Sequence, residues 1–267
     1  MKTTATELFQ YLESIAPLHL QEKYDNSGLL IGTSSVSVSG VLICLDCTED
    51  ILEEALHLKC NVVISHHPAI FYGLKSITGS NLTERLVMKA IKNDLMLYAI
   101  HTNLDNILNH GVNERIAQQL GLTIESVLRP VESGVDGKII GAGVVGMFSE
   151  ALDEIQFLEL LKEKMKTSVI RHSKLLERPV EKVAVCGGSG SFLMEDARNA
   201  GAQAFVTGDY KYHGFFEADG NLIICDIGHY ESEQYTVNLL QELISRKFTT
   251  FAAHCTQLNT NPIHYFT

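Results

Sequence analysis

VLICLDCTEDILEEALHLKCNVVISHH (41–67) and VAVCGGSGSFLMEDARNAGAQAFVTGD (183–209) lie over one another without a gap. Each copy reads as an apolar run of strand length, a turn, an amphipathic helix and a second apolar run, closing on a polar cluster. Val41 falls on Val183, Cys44 on Cys186, Ala55 on Ala197, Ser65 on Thr207 and His67 on Asp209. Two such βαβ units point to an α/β fold of two related domains, facing each other across a cleft to which each offers its polar cluster. The alternative is a likeness without common origin, since βαβ units resemble each other for packing reasons.

The alternation continues along the chain. Strands are expected at Val41–Leu45, Val62–Ser65, Leu95–Ile100, Lys138–Gly146, Val183–Cys186, Ala204–Thr207 and Leu222–Cys225. Helices are expected at Thr4–Ile15, Glu49–Leu58, Thr83–Lys92, Gly111–Leu120, Leu152–Lys164, Phe192–Asn199 and Glu231–Arg246. Segments 131–137 (VESGVDG) and 172–181 (HSKLLERPVE) carry the turn and charge signals of connections. The expected division is a first domain over 1–125 with 230–267 and a second over 126–229, one large α/β domain being the alternative.

The bulk composition narrows the function. A chain of 267 residues can bury a substantial core, and its formal charge of −11 argues against a broad grip on nucleic acid. No apolar stretch reaches membrane-spanning length, and MKTTATELFQ reads as a helix opening rather than a signal peptide. Six cysteines spread thinly, four of them in or beside strand-like runs, indicate a reducing, cytoplasmic setting. Cys44 and Cys47 form a C-x-x-C, but no second pair completes a zinc site, so packing at a strand end is the favoured reading.

Polar clusters stand where the strands end. His66 and His67 close the run 61–65 and are followed by Pro68, which donates no hydrogen bond and marks where the strand gives out. His101 with Asp105, Asp209 with His213 and His229 with Glu233 each follow another apolar run at a spacing of four. If a helix starts there, such a pair shares one face beyond the carboxyl end of a strand, the usual ligand position of an open α/β sheet. One pair alone would read as a cap beside a surface histidine; four clusters point to a metal site. Gly187-Gly188-Ser189-Gly190-Ser191 reads as a tight turn or as an anion cradle, and Asp25-Asn26-Ser27-Gly28 as a turn.

SHHPAIF (65–71), LYAIHTNLDN (97–106), HGVNERIAQQLGL (110–122), VTGDYKYH (206–213) and GHYESE (228–233), in this order, resemble the interacting-factor-three-like family, whose members are labelled GTP cyclohydrolase 1 type 2 homologues. YDNSGLLIG (24–32) and NTNPI (259–263) extend the resemblance to essentially the whole chain. The family usually shows Trp where Tyr24 stands, a change that keeps an aromatic body. The resemblance implies a two-domain α/β protein with a dinuclear metal centre, assembled as a ring-shaped homohexamer. By motif, the metal ligands it implies are His66, His67, Asp105, His229 and Glu233, with His101 lining the same site. Asp209 and His213 match its TGD-x-x-x-H pattern.

Imidazoles and carboxylates in this mixture suit zinc, iron, manganese or nickel without choosing between them. Two divalent ions per subunit, roughly 3.5–4 Å apart, call for a bridging carboxylate such as Glu233 or Asp105, and make water a nucleophile near neutral pH. His101, Asp209 and His213 are then the candidate catalytic residues, moving protons or orienting the ligating rings. The expected function is metal-dependent hydrolysis of a small, nucleotide-like substrate. The alternative is a non-catalytic metal-binding hexameric scaffold or regulatory protein built on the same ligands.

Overall fold

The computed structural model of the protein describes residues 2–131 and 140–266. The chain forms two compact α/β units, one running to Leu104 and resuming at Thr236, the other from Asp105 to Tyr235. Of the connection expected over 131–137, residues 132–137 lie outside the described residues, as do 138 and 139 of the strand expected from Lys138.

The first unit is built on a five-stranded sheet. Its strands are β1 (Gly28–Ile31), β2 (Gly40–Cys44), β3 (Val62–Ser65), β4 (Met96–Ala99) and β11 (Ala252–Cys255), in the order β1-β4-β3-β2-β11. All neighbours run parallel except β1 on β4. Every residue of β2, β3 and β4 is buried, as expected of parallel strands covered on both faces. Helices α1 (Ala5–Ile15), α2 (Glu49–His57), α3 (Leu82–Lys92) and α9 (Thr236–Lys247) complete the unit, and the short α4 (Thr102–Asp105) closes its first run. Local chemistry starts these helices where they start. Thr4 and Glu7 form a reciprocal capping box on α1, and the side chains of Thr48 and Asn81 cap α2 and α3. Buried Leu42, Ile43, Leu52 and Ile64 help form the core, each worth about 1.5–3 kcal/mol of transfer out of water.

The second unit carries a six-stranded sheet of β5 (Thr123–Pro130), β6 (Gly141–Leu152), β7 (Arg171–His172), β8 (Val180–Ser189), β9 (Ala204–Gly208) and β10 (Ile223–Asp226). Their order is β5-β6-β8-β9-β10-β7. Helices α5 (Val112–Leu120), α6 (Glu154–Lys164), α7 (Met194–Asn199) and α8 (His229–Glu233) accompany it. Phe205, Val206, Ile223 and Ile224 are buried in its middle.

The internal echo of the sequence is also an echo of hydrogen bonding. β2 pairs with β3 so that Val41 faces Val62; β8 pairs with β9 so that Val183 faces Ala204, the same offset in both copies. The next strand repeats the match, Met96 facing Val62 and Ile223 facing Ala204. The two parallel three-strand cores thus share a register through Ile43 facing Ile64 and Val185 facing Val206, beyond which β8 and β9 slip.

The structure differs from the sequence expectation chiefly at sheet margins. The strands not expected are β1, β5, β7 and β11, and these are the four edge strands. β7 takes up residue 172 and β8 residues 180 and 181 of the expected connection over 172–181. The helix expected over 231–246 is divided into α8 and α9 at Gln234 and Tyr235, where the Gln234 amide donates to the carbonyls of Met165 and Glu231. Among the described residues, no helix is long and apolar enough to cross a membrane.

Candidate metal centre

In the first unit, β2, β3 and β4 deliver their carboxyl ends side by side, and three histidines gather there. β3 stops at Ser65, whose hydroxyl donates to the His67 carbonyl oxygen at 2.7 Å and turns the chain out of the sheet. Beyond that break, successive side chains no longer alternate, so the rings of His66 and His67 converge with centroids 5.0 Å apart. His101, just past β4, lies 5.3 and 5.2 Å from them. One nitrogen from each ring falls within 4.8 Å of the other two.

Each ring is held by its Nδ1. His66 Nδ1 donates to the Ile100 carbonyl oxygen at 2.8 Å, His67 Nδ1 to Asp46 at 2.8 Å and His101 Nδ1 to Asp25 at 2.7 Å. A carbonyl oxygen or carboxylate can only accept, which places the hydrogen on Nδ1 and the lone pair of each neutral ring on Nε2. This tautomer, held by a partner behind the ring, is the one metal-ligating histidines adopt. The donor set therefore fits a divalent ion of the zinc or iron type.

Asp25 and Asp46 escape the sequence reading. Asp25 sits in what reads as a plain turn, yet its side chain is fully buried. It accepts from the ring of His101, from the Thr102 amide and hydroxyl, from the Asn26 amide and from the Ser27 hydroxyl. Burial raises its pKa, but the hydrogen bonds from His101 and Thr102 override burial and hold the carboxyl well below the usual carboxylate range. Asp46 lies between the two cysteines of the C-x-x-C and also accepts from the Thr260 hydroxyl, which gives the NTNPI segment a role. Their one signal is position, as acids just outside apolar runs. Beside His101, the Phe71 ring lies 6.3 Å from the imidazole and is stacked at 6.3 Å on the exposed ring of Tyr24.

The second unit gathers acids around one imidazole. Asp209 follows β9 in a left-handed conformation (φ 56°), and its carboxylate accepts from His229 Nδ1 at 2.7 Å. His229 Nε2 lies 3.1 Å from the buried carboxylate of Glu233, one turn along α8. Burial lowers the His229 pKa, but the two carboxylates prevail and push it up to about 11. The hydrogen bond from His229 holds the Asp209 carboxyl below its ordinary value. Gly188 makes room for this arrangement: its φ is +61°, and a Cβ there would stand 2.4 Å from Glu233 Oε1. The glycine-rich stretch is thus a seat for Glu233 rather than an anion cradle. Its amides are engaged, Gly188 N–H by Ser232 Oγ at 2.9 Å and Gly190 N–H by Thr207 Oγ1 at 2.9 Å. Asp105 is tied to the same turn through Asn113, whose amide donates to the Asp105 carbonyl and accepts from Gly187 N–H. Asp105 and Glu233 also lie close enough to the buried Cys186 thiol to add to the upward push of burial on it.

The remaining expectations fall elsewhere. His213 stands on an exposed 3₁₀ turn (Tyr212–Ala218), its ring against Tyr212 and Phe216, and it is not among the gathered residues described above. Cys44 and Cys47 are buried free thiols pushed up by burial, Cys47 to about 12, consistent with packing.

A model of the family described as Duf34/NIF3 (NGG1p interacting factor 3) matches residues 3–262. A Clostridium acetobutylicum protein named GTP cyclohydrolase 1 type 2 homolog is 31% identical over 243 residues, 91% of this chain and 90% of its own. A Clostridium perfringens protein of the same name is 32% identical over 228 residues, covering 85% and 86%. Among solved structures, a Bacillus cereus protein related to NIF3 matches over 100% of both chains, with a TM-score of 0.89 at 28% identity. A Staphylococcus aureus hypothetical protein, also over 100% of both chains, has a TM-score of 0.90 at 29% identity.

Proposed function

The chain belongs to the Duf34/NIF3 family, and on that premise we propose that it binds two divalent metal ions and hydrolyses a small, nucleotide-like substrate with their help. The proposed ligands are His66, His67, Asp105, His229 and Glu233. The observation that carries the reading is the gathering of His66, His67 and His101, in which His66 and His67 are each held by Nδ1 so that Nε2 faces a metal, with His101 beside them. When bound, the metal supplies Lewis acidity and lets water attack near neutral pH.

The residues around it have separable tasks. Asp25 and Asp46 fix the rings of His101 and His67, and Asp209 fixes that of His229. His101 and Asp209 are the residues proposed to hold or pass on a proton, and His213, on its exposed turn, has no observation that supports the same role. The stacked pair of Phe71 and Tyr24 offers a planar ring a face beside His101, which supports a nucleotide-like substrate. The name GTP cyclohydrolase 1 type 2 homolog, borne by the relatives, supports the same class. Six free cysteines, five of them buried, support a reducing, cytoplasmic setting, and the family resemblance supports a homohexamer.

The test begins with elemental analysis of the purified chain and zinc titration after chelation. A panel of nucleotides and phosphoesters is then assayed with and without metal. Stoichiometric metal is expected, with His66→Ala and Glu233→Gln each lowering zinc affinity by about tenfold or more. Turnover should require metal and vanish in Glu233→Gln. Failure to retain or rebind metal refutes the centre itself. Metal binding with a blank panel refutes hydrolysis and leaves the scaffold.

A further inference from the structure

We propose a second ligand site in the unit spanning Asp105–Tyr235, a cleft that takes a small planar aromatic molecule bearing one phosphate or carboxylate. The cleft holds about 670 Å³, within the range of small-molecule sites. Arg171 and Lys174 line it on the stretch that begins with β7, and Tyr212, Phe215 and Phe216 line it from the 3₁₀ turn after β9. None of these residues is a proposed metal ligand, so the inference does not depend on the metal reading.

Arg171 is the anchor. Its Nη2 donates to the buried carboxylate of Asp226 and to the Tyr210 carbonyl oxygen, and its guanidinium carbon stands 5.5 Å from the Phe215 ring centroid. These contacts fix the plane of the group while leaving its side chain 55% exposed. Both bonds leave from Nη2, the nitrogen shared by the two edges of the guanidinium fork, so an anion in the cleft is met by a single directed donor, Nε–H or Nη1–H, rather than by a paired grip. Lys174 adds a second cation. Asp226 and Asp219, which also lines the cleft, balance these charges, so a single anionic group met by directed donors fits better than a polyphosphate.

Much of the rest of the lining is aromatic and solvated. Tyr212 and Phe216 are 72% and 70% exposed, with centroids 5.9 Å apart and planes nearly perpendicular. Large aromatics are rarely left this open side by side, and they give a flat ring both a face and an edge to meet. An added polypeptide strand is a poor alternative occupant, because the edge strand β7 is only two residues long.

The test is isothermal titration of the full chain, as purified, with four probes. Adenosine 5′-monophosphate and nicotinate carry a ring and an anion; adenosine lacks the anion and ribose 5-phosphate lacks the ring. At least one of the first pair should bind at one per chain, about tenfold or more tighter than either control, and the tighter of the two identifies the anionic group. Tyr212→Leu and Lys174→Ala should each weaken it by about fivefold or more with an unchanged unfolding midpoint. Absence of binding by both, equal binding of a control probe, or affinity unchanged in both variants would overturn the proposal. So would a Tyr212→Leu variant that alters the assembled mass but not the affinity, which would make this face a contact between copies of the chain.

Discussion

Replacing Gly188 with Ala probes the seat of Glu233 with a single methyl group. The backbone at Gly188 is left-handed (φ +61°), which costs an L-residue about 1–2 kcal/mol. The new Cβ would stand 2.4 Å from Glu233 Oε1 and 3.3 Å from both Glu233 Cδ and His229 Cε1. Ordinary contact is nearer 3.5 Å, so the carboxylate must retreat by about 1 Å. Glu233 is buried and its other oxygen lies against His229 Nε2, so the retreat disturbs that pairing and adds about 1–3 kcal/mol of overpacking. Gly201→Ala is the control, since its φ is +74° but nothing lies within 4 Å of the added Cβ. Urea unfolding of the two variants should show only the backbone cost at position 201 and both costs at position 188. Zinc titration should show affinity falling by about tenfold or more in Gly188→Ala, as expected when a metal ligand's surroundings are disturbed, and unchanged in Gly201→Ala. Equal stability losses together with equal zinc affinities would refute the role assigned to this glycine.

Glu84 provides an acid-stability prediction away from the histidines. Hydrogen bonds from the Thr78 hydroxyl and amide, then from Ser80, hold its carboxyl at about 2, below its ordinary 4.5. A depressed folded pKa stabilises the fold fully above about pH 4.5 and loses that effect as pH falls toward 2. Glu84→Gln should therefore flatten the fall in urea midpoint over that window; an unchanged slope would count against the assignment. Thiol labelling should reach Cys255 first, because the other five cysteines are buried. Mass spectrometry showing Cys44 or Cys47 modified ahead of it would contradict their role as packing residues.

What could be read beforehand follows from burial. Continuous apolar runs such as Val62–Ser65 and Ala204–Gly208 are central parallel strands, covered on both faces, and such strands announce themselves in one dimension. β1, β5, β7 and β11 are margins: β5 mixes exposed and buried positions without a clean alternation, and β11 has no fully buried residue. Their pairing is decided by a neighbour rather than by their own side chains. The gathered histidines were legible because His66, His67 and His101 all end strands of one sheet. Asp25 and Asp46 were not, because a carboxylate that hydrogen-bonds a distant ring looks locally like any turn acid. Gly188 was visible as flexible, but the side chain it admits comes from a position 45 residues further along, beyond any local pattern.

The pinning of His66, His67 and His101 from behind has a consequence for ion choice. Rings tethered by Ile100, Asp46 and Asp25 have already given up their torsional freedom when the chain folds, so a cation taken up by the proposed ligands His66 and His67 would organise little on arrival. Discrimination among divalent ions at such a site would then come from how well each tolerates the fixed rings rather than from intrinsic affinity order. Because the tether of His66 is a main-chain carbonyl beside β4, no substitution of the Ile100 side chain removes that acceptor.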